Sequence, residues 1–306
     1  MKKENTEAPL QTLKVEEATP LMTYLVEKKI RKSRNAIKSL FAHKQIKVNG
    51  RTTTQFDHPL AVGDVVTIHK TNKAYDTKLL KGVKIVYEDE FLLVVEKDAK
   101  LLSVATDRER SETAYSIIND YIKIKAGRGS RVFVLHRLDR DASGLMLFAK
   151  SAQIQELFQR TWNDAIITRS FIAVVRGRIT PPEGTIISWL TEDKKLIMHS
   201  SETDNGGQRS VTHYKTVKNN RKYTMLRLEA ETGRKNQLRV QLQSVGHSIV
   251  GDRKYGSTIS PIKRMALHAN ELVFRHPATG EILEFKSPVP ENMQRLVEVV
   301  KVEKEK

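Results

Sequence analysis

From about residue 83 onward the chain is written in short runs of Val, Ile, Leu and Phe, at 84–87, 92–96, 145–149, 171–176, 223–229 and 271–274. Runs of this length, rich in β-branched and aromatic residues and bounded by polar or turn-forming ones, are strands. Helical periodicity appears in this region only at 114–124 and 152–163. Strict alternation of strand and helix would build a parallel α/β sheet. Strands in succession with few helices build an α+β fold on a large mixed, mainly antiparallel sheet. At 306 residues, 39% of them hydrophobic, the chain has material for two domains with cores of their own. It shows no internal repeat and no low-complexity segment.

The region before residue 83 reads differently. Residues 1–16 mix charged and polar types without an apolar period and are expected to form a mobile tail. Residues 17–78 are expected to form a small α/β domain. Thr19-Pro20 reads as a helix start, with the hydroxyl as N-cap and proline at the first helical position. Leu21, Tyr24, Leu25 and Val26 then make an apolar stripe. Ser33 is placed to cap a second helix, with Ile37, Leu40 and Phe41 on one face. Alternation over Ile46 to Val48 ahead of Asn49-Gly50 signals a strand running into a tight hairpin. Val65 to Ile68 form another strand after the turn at Val62-Gly63-Asp64. A polar, basic linker leads to the larger domain, expected over 83–306.

The formal net charge is +17, which points to a polyanionic partner. The excess is clustered: Lys28, Lys29, Arg31, Lys32, Arg34, Lys38, Lys44 and Lys47 stand against Glu27 alone. A merely solvated helix face alternates signs, and this one does not. Phosphate contact is the natural use of such a face. There is no cysteine, which removes disulfides, thiolate metal sites and cysteine nucleophiles, and fits a reducing cytoplasm. The nine histidines are scattered, with no H-E-x-x-H spacing, so no metal is expected. Phosphate-cradling glycine loops are missing as well, and no cofactor is expected. No apolar run reaches the roughly 20 residues needed to cross a membrane.

Two short motifs carry more specific information. In the first domain, K-S-R-N-A-I-K-S-L and K-V-N-G-R resemble the S-four-type RNA-binding domain, named after a ribosomal protein. The resemblance rests on Ser33, Arg34, Ile46, Val48, Asn49 and Gly50. It implies structured RNA as partner, with Arg31, Lys32, Ser33, Arg34, Lys38, Lys47, Asn49 and Gly50 as RNA-binding residues. In the second domain, residues 134–150 read V-L-H-R-L-D-R-D-A-S-G-L-M-L-F-A-K, two apolar-rich segments around a polar hinge. Loops at strand ends are where sheets present reactive groups. A carboxylate there, with arginines on either side, can serve as nucleophile or base. On charge and spacing alone, a structural ion-pair cluster at a turn is the better account.

The wider pattern reverses that weighting. H-R-L-D-R-D-A-S-G-L-M-L-F-A-K resembles the signature of the RluA/RluD branch of pseudouridine synthases. Further blocks follow in the order of that family. They are Arg169-Ser170-Phe171 to Gly177, the run Thr232 to Val240, Gly246-His247 to Tyr255-Gly256, and Ala266 to Ala269 with His276-Pro277. The resemblance covers about 85–292. It implies the pseudouridine synthase sheet with a cleft across its middle, and isomerisation of uridine in RNA without cofactor or metal. Asp139 matches the catalytic aspartate and Arg239 the arginine that pairs with it. Arg137 matches an arginine on the RNA backbone, and Phe171 stands where tyrosine usually packs on the target base. Ala142, Asn236 and the turn Lys97-Asp98-Ala99-Lys100 also depart from the usual pattern. The implied substrate is large-subunit ribosomal RNA. Transfer RNA, or a non-catalytic ribosome-associated RNA-binding factor, is the alternative. A monomer is expected.

Overall fold

Leu21 and Met22 begin the first helix without any side-chain cap, and the reason sets the plan of the N-terminal unit. In the computed structural model, residues 9–30, 34–42, 45–69, 80–106, 112–127 and 129–298 are described. The chain divides into residues 1–76 and 77–306. The first unit runs β1 (Gln11–Lys14), β2 (Thr19–Pro20), α1 (Leu21–Glu27), α2 (Arg34–Ala42), β3 (Ile46–Val48), β4 (Arg51–Thr52), β5 (Pro59–Leu60) and β6 (Val65–Ile68). Thr19 and Pro20 pair with Leu60 and Pro59. The Leu21 and Met22 amides donate to the carbonyls of His58 and Phe56, both at 2.9 Å. Those bonds satisfy the first free N–H groups of the helix, so the expected Thr19 cap gives way to a tertiary ladder. Pro20, extended, is the N-cap.

Residues 11–14 are not tail but strand. They pair antiparallel with 65–68, and Val15 beside them is 1% exposed. The sheet order is β1-β6-β3-β4. Asn49 and Gly50 link β3 to β4 with φ of 49° and 78°, the two left-handed positions of a tight hairpin turn. Leu21, Leu25, Ile37, Phe41, Ile46 and Ile68 form the core. Met22 belongs to the buried stripe and Val26 does not. Ser33, Arg31, Lys32 and Lys44 lie outside the described residues.

The second unit runs β7 (Val83–Glu88), β8 (Leu92–Lys97), α3 (Ala114–Ala126), β9 (Phe133–Val134), β10 (Ser143–Ala149), α4 (Ala152–Ala165), β11 (Ile166–Arg176), β12 (Glu183–Glu192), β13 (Met198–Ser201), β14 (Gln208–Asn219), β15 (Tyr223–Ala230), α5 (Gln237–Ser244), β16 (Leu267–Arg275), β17 (Ile282–Lys286) and α6 (Glu291–Leu296). One sheet carries the order β13-β12-β14-β15-β11-β16-β10-β8-β7, with β17 on β16 and β9 on β10. Only β10 and β16 pair in parallel among the ladders of this sheet, so it is mixed and mainly antiparallel. On one face Leu92, Val94, Leu145, Leu147, Leu272 and Phe274 pack under α4 through Phe158. Thr113 and Ser151 cap α3 and α4 by accepting from the Ser116 and Ile154 amides.

At the centre, β10 and β16 come together at a glycine. Gly144 has φ of 113°, and a Cβ there would overlap the backbone of Ala269. Only glycine allows this approach. It brings the loop before β10 onto the middle of the sheet, beside β11.

Candidate active site

Residues 135–142 form that loop, and buried polar groups fix its backbone. The Ser103 hydroxyl donates to the Leu138 carbonyl at 2.6 Å and accepts from the Leu138 amide at 3.1 Å. Lys97, fully buried at the end of β8, donates to four carbonyls: Asp98 (2.8 Å), Leu101 (2.7 Å), Arg140 (3.2 Å) and Ala142 (2.6 Å). One ammonium thus ties the 98–101 turn to the far side of the loop. Burial pushes its pKa down to about 8, with Arg264 adding to the effect and Asp139, Asp141 and Asp98 opposing it.

Asp139, at the crest of the loop, is 30% exposed along its side chain. Its Oδ2 accepts from Arg239 Nη1 at 3.0 Å. Among the described residues Oδ1 has no hydrogen-bond partner, so one carboxylate oxygen is held and the other is left unpaired on a residue that lines a cleft.

Arg239 reaches this place because of how α5 is docked. Gln237 and Gln241, four residues apart on one face of the helix, are both buried. Gln237 donates to the Val211 carbonyl and the Thr212 hydroxyl and accepts from the Thr232 hydroxyl and the Arg234 amide. Gln241 donates to Ser188 and the Ser210 carbonyl and accepts from Thr212. At about 100° per residue, Arg239 projects from the opposite side of the helix. Asp252 grips its guanidinium with both oxygens, at 2.7 and 2.8 Å. Tyr255 lies under it, with the ring centroid 4.9 Å away. Burial disfavours the cation, but Asp252 and Asp139 more than offset it, and the pKa is raised. Asn236, left-handed at φ 52°, accepts from Arg239 at 3.1 Å and donates to the Tyr255 hydroxyl at 3.0 Å.

The cleft walls include Leu138, Phe171, Leu238 and Leu267, with Arg137, Arg169 and Arg234 beside Asp139 and Arg239. Phe171 is 8% exposed, set between Leu228 of β15 and Ala269 of β16. His136 accepts from the Leu147 amide through Nε2 at 3.1 Å. Burial, assisted by Arg169, pushes its pKa down to about 3. It is a neutral brace for the strand edge and not an acid.

Asp139 and Arg137 from one loop, Phe171 from β11 and Arg239 from α5 therefore meet in one cleft. The expected RNA-binding residues fare unevenly. Arg34 and Lys38 are exposed on α2, and Lys47 is half-buried on β3. Asn49 uses its amide internally, donating to Asp64 at 2.8 Å and accepting from the Val65 amide at 2.9 Å. Asn49 and Gly50 together form the hairpin turn. Sequence reasoning missed Lys97, Asp252, Gln237, Gln241 and Tyr255. Asp252 and Tyr255 stood inside a quoted block, but nothing in it marked them as supports of Arg239.

The sheet is that of pseudouridine synthases. The human RNA pseudouridylate synthase domain containing 4 superposes with a TM-score of 0.59 over 71% of this chain and 92% of that one, at 20% identity. A family model described as RNA pseudouridylate synthase matches residues 91–244. An RNA pseudouridine synthase of Bacillus subtilis, YjbO, itself named as uncharacterized, is 32% identical over 84% of this chain and 91% of that protein. The ribosomal large subunit pseudouridine synthase D of Vibrio cholerae is 31% identical over 85% of each chain. This chain belongs to the RNA pseudouridylate synthase family, in its RluA/RluD branch. It is an isomerase that converts uridine in RNA to pseudouridine. No helix among the described residues is long and apolar enough to cross a membrane.

Proposed function

We propose that the chain isomerises uridines in large-subunit ribosomal RNA, with Asp139 as the catalytic carboxylate. The observation that carries the catalytic assignment is the Asp139–Arg239 pair at 3.0 Å, with Arg239 itself clamped by buried Asp252. The ribosomal substrate rests on relatives named for that activity. The reaction breaks the bond from uracil N1 to the sugar, turns the ring and closes a bond from carbon. Atoms balance within the nucleotide, so neither external group nor redox partner enters. The target base must first leave its stack. Phe171 then offers an aromatic face for it, Arg137 meets the backbone, and Arg239 holds one oxygen of Asp139. The free Oδ1 attacks the sugar or the ring, or takes a sugar proton, and each role requires the carboxylate charge.

The N-terminal unit reads as an S-four-type RNA-binding domain, with Arg34, Lys38 and Lys47 as its phosphate contacts. The enzyme is read as a cytoplasmic monomer, where a cysteine-free chain and a ribosomal substrate belong together. The test is a carbodiimide primer-extension map of ribosomal and transfer RNA from cells with the gene, without it, and carrying Asp139→Asn. One or more stops in large-subunit RNA should vanish in the deletion and stay absent with Asp139→Asn, which retains RNA affinity. Stops lost only from transfer RNA would overturn the ribosomal assignment. Stops restored by Asp139→Asn would overturn the catalytic one.

A further inference from the structure

The arginines of the cleft are not equally provided for. Arg239 has two carboxylates within 3.0 Å. Arg137, Arg169 and Arg234 line the same cleft, and among the described residues none of them has a carboxylate within ion-pair distance. Arg137 and Arg234 are exposed, where water serves a cation well. Arg169 is recessed into the wall, and burial alone lowers its pKa.

Its guanidinium is nonetheless held in a fixed plane. Its Cζ lies 5.9 Å from the centroid of the Trp162 ring, within cation–π range. Nη2 donates to the Thr232 carbonyl at 3.2 Å. Gly233 leaves the guanidinium its space, since a Cβ there would come 3.1 Å from Nη2 and 3.3 Å from Nη1. Arg169 and Phe171 are two residues apart on β11, and both line the cleft. A recessed, oriented cation without a counter-charge is costly to keep. Its fork geometry suits a phosphate better than any neutral group.

We propose that Arg169 is the anchor for a backbone phosphodiester of the strand that carries the target uridine. The phosphate supplies the counter-charge that the fold withholds, and fixes the strand beside the Phe171 ring. This inference rests on the reading of the cleft as an RNA site. The arginine acts by binding and positioning the strand, apart from the bond-making at Asp139.

The test compares full-length wild type, Arg169→Gln and Arg169→Lys. The probe is the ribosomal RNA fragment in which wild type makes pseudouridine. If wild type makes none, the ribosomal reading has failed, and a short single-stranded oligouridylate takes its place as probe. Arg169→Gln should weaken binding roughly 10- to 100-fold, as loss of a charged hydrogen-bonded contact does. Its plot of log affinity against log salt should flatten by about 0.7, the loss of one phosphate contact on a single strand. Its melting temperature should stay the same or rise, because an uncompensated charge has gone. Arg169→Lys should keep the wild-type slope and lose part of the affinity, having the charge without the fork. If Arg169 is only a brace for Thr232 and Trp162, Arg169→Gln melts earlier while its folded fraction binds with the wild-type slope. That result, or an unchanged slope in a stable Arg169→Gln, overturns the proposal.

Discussion

Replacing Lys97 by methionine tests how the loop that carries Asp139 is held. Methionine matches the length of the buried stem and removes the ammonium. The Arg140 carbonyl keeps a partner, since it also accepts from the Lys100 amide at 2.8 Å. The carbonyls of Asp98, Leu101 and Ala142 lose the donor that lies 2.6–2.8 Å away. Each buried acceptor left unpaired costs about 1–3 kcal/mol. Removing a buried cation returns several kcal/mol of desolvation. The balance is a loss of roughly 3 kcal/mol at pH 7. For a domain of 150–250 residues that lowers Tm by about 6–12 °C. The folded-state pKa of Lys97 is depressed to about 8 from 10.5. Between those values the unfolded chain binds more protons than the folded one, so wild-type stability from this group rises with pH. The methionine variant lacks that rise. The stability gap between the two should therefore widen from pH 8 to 10.5, by on the order of 3 kcal/mol. Urea denaturation across that window, beside single-turnover pseudouridine formation at 20 °C below the variant's Tm, reads both effects. The rate should fall further than the folded fraction explains, since a shift near 1 Å in the reacting geometry costs about 100-fold. A gap that stays flat with pH would show that Lys97 pays no burial penalty. An unchanged rate in the stable range would show that it does not position Asp139.

Asp252→Asn should lower kcat by about 100-fold while RNA affinity holds, and cost roughly 3–5 kcal/mol of stability because Arg239 stays buried with one grip lost. Unaltered kcat would remove Asp252 from the support of Arg239. Phe171→Tyr should be nearly neutral, and Phe171→Ala should lose about 1–3 kcal/mol of transition-state stabilisation, 5- to 150-fold in rate. Since the ring is also packed between β15 and β16, the alanine variant should melt earlier. A normal rate in its folded fraction would deny the ring any stacking role. Deleting residues 1–76 should flatten the salt dependence of RNA binding by about 0.7–0.9 per lost phosphate contact. An unchanged slope would mean that this unit leaves the RNA alone.

What could be read ahead of the structure was whatever the chain writes contiguously. Asp139, Ser143 and Gly144 fall within six residues, and the apolar run after them can only be a strand. Phe171 likewise stands in an uninterrupted apolar run. Arg239 was legible only as a motif position. Its helix stayed hidden because the face that docks α5 is polar: Gln237 and Gln241 bond to Ser188, Ser210 and Thr212, all of them buried. Hydrophobic periodicity has nothing to register in such an interface. The same polar packing concealed β12 and β14, whose buried positions include those three residues. Lys97 read only as part of a turn that departs from the family pattern, because no local pattern announces four carbonyls, two of them 43 and 45 residues away. At Thr19-Pro20 the local signal for a cap was sound, and a strand pairing forty residues later prevailed over it.

These hidden groups give the cleft its electrostatic order. Among the described residues Asp139 is the one carboxylate lining it, beside four arginines. Left to mobile side chains, several cations could swing onto that carboxylate and occupy both oxygens. The fold prevents this by assigning each a place. Asp252 takes N–H groups from Nε and Nη2 and Asn236 one from Nη1, and Arg239 meets Asp139 through Nη1 alone. Trp162 and Thr232 fix the guanidinium of Arg169 in place. Arg137 and Arg234 stay in solvent. One oxygen of Asp139 is thereby kept open while the surrounding charge remains positive enough to draw in a phosphate backbone. On the proposed reading a carboxylate has to stay reactive inside a site that binds anions, and two buried supports, Lys97 under the loop and Asp252 behind the arginine, would reconcile those demands.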